Sequence, residues 1–225
     1  MYNLVALMPM RHSSVRVKGK NYRPFGNGKA LFQHILEVLL NCSEIEKVVI
    51  DTDSPTVREI CERTYPNVML LERPEHLRDG AIPMNEILIH DIGQVPSNFY
   101  LQTHSTNPLL RAETVSKAVE TFFSTYPMHD SLFSVTRRQT RYWDELARPI
   151  NHNRDILLRT QDLPPVYEEN SCLYIFEGEG LKRRYNRIGN RPYLFEIEEG
   201  EAADIDEEIN FEIAELMYKR MHNLK

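Results

Sequence analysis

Leu4-Val5-Ala6-Leu7-Met8 runs directly into Pro9-Met10-Arg11-His12-Ser13-Ser14-Val15-Arg16-Val17-Lys18-Gly19-Lys20-Asn21. The first stretch is continuously apolar and short, the pattern of a strand buried on both faces. The second holds four cationic side chains, two hydroxyls and one glycine in thirteen residues. Guanidinium forks, an ammonium point charge and hydroxyl donors are the groups a polyphosphate requires. Composition alone fits a solvated basic loop equally well; its place at the end of a buried first strand favours a site. Gly26-Asn27-Gly28-Lys29 lacks the P-loop spacing and is followed by Ala30, and no G-x-G-x-x-G follows the strand. Any phosphate site here is therefore of another kind.

Working outward, apolar runs alternate with helical patterns. Leu31, Ile35, Leu36, Leu39 and Leu40 recur at helical spacing, then Lys47–Ile50 reads as a strand. A helix is predicted from Pro55 to about Thr64, with Asp51 and Asp53 assigned to the turn and cap before it. Val68–Leu71, Phe99–Gln102, Ser131–Val135, Cys172–Phe176 and Tyr193–Ile197 read as further strands. Between them, Ile87, Leu88 and Ile92 mark one helix, and Val115, Ala118, Val119, Phe122 and Phe123 another. The chain closes on a helix from about Glu207 to Met221 with a predicted apolar face of Ile209, Ile213, Leu216, Met217 and Met221. Such alternation specifies an α/β fold of Rossmann-like type: three layers, α/β/α, around a mainly parallel sheet. Ligands bind such folds at the carboxyl ends of the strands, where segments 9–21, 51–54 and 102–111 are predicted to meet. Residues 137–170 have no clean period and read as an inserted arm or flap on a single domain spanning 1–225.

The charge distribution is uneven. Residues 1–36 carry six basic side chains and no acid, whereas the other 189 residues carry 21 basic and 33 acidic ones; the net charge is −6. A cationic start on an anionic body suggests a local anion site and argues against nucleic acid as partner, despite Tyr142 and Trp143 lying among Arg137, Arg138 and Arg141. No apolar stretch approaches the ~20 residues of a membrane span. Three widely spaced cysteines, Cys42, Cys61 and Cys172, fit reduced thiols, and no secretory pattern opens the chain, so a cytoplasmic location is expected. The scattered histidines form no zinc signature, leaving His12 and His104 as loop residues near the proposed site.

The pattern L-x-P-x-R-x-x-S-x-R-x-x-x-K-N from Leu7 to Asn21 resembles the signature loop of the sugar-activating cytidylyltransferases, the CMP-N-acetylneuraminate synthetases and related CMP-Kdo synthetases, with Met10 where Ala is common. Other segments agree in order. Val48–Ser54 resembles V-V-S-T-D-[SG]; Leu101–Arg111 resembles a longer L-Q-P-T-S-P-L-R. Tyr167–Ile175 is similar to N-G-A-I-Y-I with Ser171 for Gly, and the Asp204-Ile205-Asp206 region to I-D-I-D-T-x-x-D-L-x-x-A-E with Asn210 for the later Asp.

The resemblance implies a nucleotidyltransferase fold and a Mg²⁺-dependent reaction in which CTP and an acidic, nonulosonic sugar give CMP-sugar and pyrophosphate. It places Arg11 and Lys20 at phosphate-binding positions, catalytic together with Asp206, with Ser14 and Asn21 completing the nucleotide loop. Gln102 matches a sugar-edge residue. Arg141, Arg159, Tyr167 and Asn170 are the remaining candidates for sugar contacts, and the arm implies a homodimer. The acidic stretch Glu198–Glu208 has seven carboxylates, most of them expected to be solvated. Asp204 and Asp206 differ: in an extended segment residues i and i+2 share a face, and Mg²⁺ usually takes one or two carboxylates beside phosphate and water. Asp206 could also cap the last helix. A CMP-Kdo-type enzyme is the rival substrate reading, disfavoured because Leu101–His104 lacks that branch's Gly-Asp-x-Pro. A non-catalytic nucleotide- or sugar-binding protein is the rival of another class.

Overall fold

The computed structural model describes residues 3–224. Its first strand, β1 (Leu4–Leu7), is buried along its whole length. Leu4 and Ala6 pack into one core cluster and Val5 and Leu7 into another, so the apolar run feeds both faces of the sheet. The strands that follow are β2 (Pro24–Phe25), β3 (Lys29–Ala30), β4 (Lys47–Thr52), β5 (Met69–Glu72), β6 (Phe99–Thr103), β7 (Ser131–Arg138), β8 (Val166–Glu177) and β9 (Pro192–Glu196). The helices are α1 (Leu31–Leu40), α2 (Pro55–Thr64), α3 (Met84–Gln94), α4 (Ala112–Thr125), α5 (Gly178–Arg184) and α6 (Glu208–Met221).

Seven strands form one sheet in the order β5-β4-β1-β6-β8-β7-β9, and β2 and β3 make a small separate hairpin. β5, β4, β1 and β6 are parallel, as are β7 and β9. β8 alone runs against both neighbours. Helices α1, α2 and α4 cover one face through residues such as Leu36, Val57 and Phe122. Helices α3 and α5 cover the other through Leu88, Ile92 and Leu181. The three-layer α/β/α architecture is present, with one antiparallel strand inside the mainly parallel sheet.

That strand explains the break in rhythm at 137–170. β7 and β8 continue past the sheet as a hairpin, with Val135 opposite Glu169 and Arg138 opposite Val166, and the loop between them forms the arm. Where the hairpin leaves the sheet the register slips after Phe133, and Ser171 takes a left-handed conformation, φ 58°. For a residue with a side chain this costs roughly 1–2 kcal/mol. Ser134 stabilises the bulge: its hydroxyl accepts from Leu173 N at 3.0 Å and donates to Asn170 Oδ1 at 2.6 Å. The motif that Tyr167–Ile175 resembles has Gly at this position, the residue that tolerates the conformation without strain.

Two local expectations are corrected. Ser54, not Asp51 or Asp53, caps α2, accepting from Val57 N at 3.3 Å. Asp51 is instead buried against Arg73, and Asp53 accepts from His12 N. On α6 the packed face is Phe211, Ala214 and Tyr218, whereas Ile209, Ile213 and Leu216 are exposed. The phase is set at the helix start, where Asn210 Oδ1 accepts from Glu207 N at 2.9 Å, and by ring packing of Phe211 and Tyr218 on Phe25. An amide oxygen accepts this bond as a carboxylate would, so Asn210 in place of Asp leaves the cap intact.

Candidate active site

Beyond β1 the backbone continues parallel to β4: Met8 N donates to Val49 O and Met10 N to Asp51 O, both at 2.9 Å. The loop is then pinned at His12, whose N–H donates to Asp53 Oδ1 at 2.7 Å and whose ring stacks on Tyr22. Gly19, at φ 64°, turns the chain into a short 3₁₀ turn over Lys20–Tyr22. A side chain at Gly19 would collide with the Tyr22 ring at 2.8 Å, so the turn needs glycine on both counts. Asn21 ties the loop's ends together. Its Nδ2 donates to Arg11 O at 2.7 Å, and its Oδ1 accepts from Ser105 Oγ at 2.8 Å.

The loop curves around a cavity of about 390 Å³ whose wall includes Arg11, Ser14, Arg16, Lys20, Asn21, Asp204 and Asp206. His104, Ser105 and Thr106, from the loop after β6, and Ser171, from the β8 bulge, complete it. Three cations and two carboxylates thus face one space at the carboxyl edge of the sheet. Lys20 joins the two halves: its ammonium donates to Ile205 O and lies 3.9 Å from Asp206. Burial pulls the Lys20 ammonium below its ordinary value, opposed by Asp204 and Asp206. Arg16 reaches Asp206 at 2.7 Å. Burial pushes the Asp204 carboxyl up, offset chiefly by the Thr106 hydroxyl. Burial also pulls the His104 imidazole down to about 3, so it is neutral at physiological pH. Among the described residues no three His, Cys, Asp or Glu side chains gather as a metal cluster. The donor set is the two-carboxylate kind that suits Mg²⁺ when phosphate oxygens supply the rest.

The other candidates lie elsewhere. Gln102 is fully buried behind the wall, its amide engaged by Thr103 O, His104 and Arg187. Asn170 holds the bulge through Ser134 and Thr136, and lines an adjoining cavity of about 350 Å³ that shares Ser171 and Asp204 with the first. Arg141 and Arg159 are on the arm, bonded to Leu158 O and Asp162. Tyr167 is half-exposed opposite Arg137. The sequence places segment 102–111 at this edge and His104 near the site without singling out Ser105, Thr106 or Arg187, and marks Ser171 only as standing where the motif has Gly. The usable signal was position: residues after a parallel strand's carboxyl end, and a side chain where the motif has Gly.

A family model described as cytidylyltransferase matches residues 5–219. The chain belongs to the cytidylyltransferase family. It is thus an enzyme of the nucleotidyltransferase class. Among its relatives, the post-translational flagellin modification protein B of Campylobacter coli is 25% identical, over 97% of this chain and 96% of that protein. The pseudaminic acid cytidylyltransferase of Campylobacter jejuni is 23% identical over 97% of both. The N-acylneuraminate cytidylyltransferase of Streptococcus agalactiae serotype V is 24% identical over 92% of this chain, which spans only 51% of that relative. In fold, a CMP:2-keto-3-deoxy-manno-octonic acid synthetase complexed with CTP superposes with a TM-score of 0.73 at 15% identity, covering 99% of this chain and 100% of that one. For a cytidylyltransferase the cavity has the right polarity. Nucleotidyl transfer depends on neutralising phosphate charge and on in-line positioning more than on covalent help, and three cations line this cavity.

Proposed function

We propose that this cytidylyltransferase activates an acidic sugar of the acylneuraminate type. The sugar's anomeric hydroxyl attacks the α-phosphorus of CTP and releases its proton to solvent, the bond to the β-phosphate bridging oxygen breaks, and CMP-sugar and pyrophosphate leave. The observation that carries the reading is the meeting of Arg11, Arg16 and Lys20 with Asp204 and Asp206 around one cavity. Arg11 and Lys20 bind and orient the triphosphate, and Lys20 also tethers the acidic segment through Ile205 O. Asn21 holds the loop in shape, and Ser14 contributes a hydroxyl to its rim. Asp204 and Asp206 would hold Mg²⁺, which when bound supplies charge neutralisation at the phosphate oxygens. The names of the relatives favour a nine-carbon acid over a Kdo-type one.

The arm exposes Leu146, Ile150, Ile156 and Leu157, with Trp143 and Leu158 half-exposed. A homodimer in which this arm meets the second copy accounts for that apolar surface. It also gives Arg141, Arg159 and Tyr167, which lie outside their own subunit's cavity, a route to the sugar. Pyrophosphate release with CTP, Mg²⁺ and a panel of ulosonic acids tests the reading. CTP binding without release for any acid refutes it in favour of a non-catalytic nucleotide-binding protein.

A further inference from the structure

We infer that His104 meets the substrate as a neutral donor through Nδ1–H, and that Arg187 and Gln102 are positioning residues that fix this tautomer. The donor role rests on the nucleotidyl-transfer reading above; the tautomer does not.

Arg187, Gln102 and His104 form one line of contacts. Arg187, in the loop after α5, lies over Tyr174 with its guanidinium 3.4 Å from the ring centroid, and it donates to Gln102 Oε1. A guanidinium has donors only, so the oxygen of the Gln102 amide must face it. The amide nitrogen is thereby turned the other way, where it donates to Thr103 O at 3.0 Å and lies 3.1 Å from His104 Nε2. An amide nitrogen cannot accept, so His104 Nε2 must be the bare, accepting nitrogen. A neutral ring then carries its proton on Nδ1. Adding a second proton would set Nε2–H against the amide N–H, with the Arg187 charge behind it and Lys20 also nearby.

Among the described residues no protein group is hydrogen-bonded to Nδ1, this nitrogen is not among the fully buried unpartnered atoms, and His104 lines the cavity with Lys20 and Ser105. Its N–H is left for a ligand oxygen. A neutral donor of this kind stabilises charge developing on a substrate oxygen without burying a further cation. The same geometry rules His104 out as the base that accepts the sugar hydroxyl's proton, because its one lone pair is held by Gln102.

Two substitutions separate the nitrogens. The amide nitrogen of an asparagine falls where Nδ1 lies, whereas that of a glutamine falls where Nε2 lies. His104→Asn is expected to keep kcat/KM within about fivefold of the parent, and His104→Gln to lose about 10- to 100-fold, the effect of one hydrogen bond to a charged group. Equal activity in the two variants would overturn the donor role. Nitrogen NMR of the ring, with no substrate present, should show a protonated Nδ1 and a bare Nε2. An Nε2-protonated or doubly protonated ring in the parent overturns the inference even if the enzyme turns over. Gln102→Glu, which offers Nε2 an acceptor, should move the proton to Nε2 or leave the ring charged. An unchanged tautomer there overturns the positioning role, and Arg187→Met, which frees the amide to rotate, should give a tautomer mixture. A parent that releases no pyrophosphate with any acid yet shows the Nδ1–H tautomer refutes the proposed reaction and leaves the tautomer inference standing.

Discussion

Three ionisable residues in this protein lie where a protein interior ordinarily excludes charge. Asp51, Arg73 and Asp91 are each about 1% exposed, and Arg73 Nε donates to Asp51 Oδ2 at 2.7 Å. One guanidinium cannot neutralise two carboxylates, and Asp91 is left with His90 Nδ1 at 3.2 Å and an unpartnered Oδ2. Burial, with Asp51 close by, pushes the Asp91 carboxyl up to about 8. A folded value above the unfolded one means that Asp91's contribution to stability is complete below about pH 4 and is lost as the pH rises towards 8. Asp91→Asn cannot ionise. Chemical denaturation from pH 5 to 8 should show it gaining on the parent by ~2 kcal/mol or more over that window. A parent whose stability rises there would contradict the assignment. At the cavity, Asp206→Ala should leave the fold intact by circular dichroism and abolish turnover; full activity would dismiss its metal role. Asp51 is the instructive misreading: its place at a strand end suggested a turn, and only the long-range approach of Arg73 converts it into half of an ion pair.

Among the elements, α6 and the β8 bulge show where pattern reading succeeds and where it stops. The existence and ends of α6 follow from its periodicity and cap, but the single apolar face read from the sequence is not the packed one: contact with Phe25 selects Phe211, Ala214 and Tyr218. Phe211→Ala should therefore cost about 3–5 kcal/mol in urea unfolding, and Leu216→Ala, on the exposed face, within about 0.5 kcal/mol of nothing. The reverse ranking would restore the stripe read from the sequence. The bulge has no periodic signal at all. It depends on a serine hydroxyl on the neighbouring strand, so Ser134→Ala should destabilise by roughly 1–3 kcal/mol and also lower turnover, since Ser171 and Asn170 are placed by that hydroxyl. Loss of stability with unchanged turnover would show that the bulge is architecture only.

For the whole molecule, the two charge populations seen along the chain become two walls of one cavity. CTP affinity, measured calorimetrically, should fall as salt rises from about 0.05 to 0.3 M, because partly exposed cations such as Arg16 are screened. An affinity indifferent to salt would argue against the cationic loop as the phosphate site. The proposed dimer is testable in the same spirit: Leu157→Asp, at a residue 87% exposed, should convert a dimer to a monomer in sedimentation without unfolding it. Much of this was determined by the sequence alone. Strand runs, helix periods and the cation-rich loop are local features, set by side-chain patterning within a few residues, and they specify the α/β class and the sheet edge where the cavity lies. Tertiary structure decided the rest, because it depends on contacts far apart in the chain. These are the reversed β8 inside the parallel sheet, the buried face of α6, the Asp51–Arg73 pair, and the line from Arg187 through Gln102 that leaves a loop histidine with one proton facing the cavity.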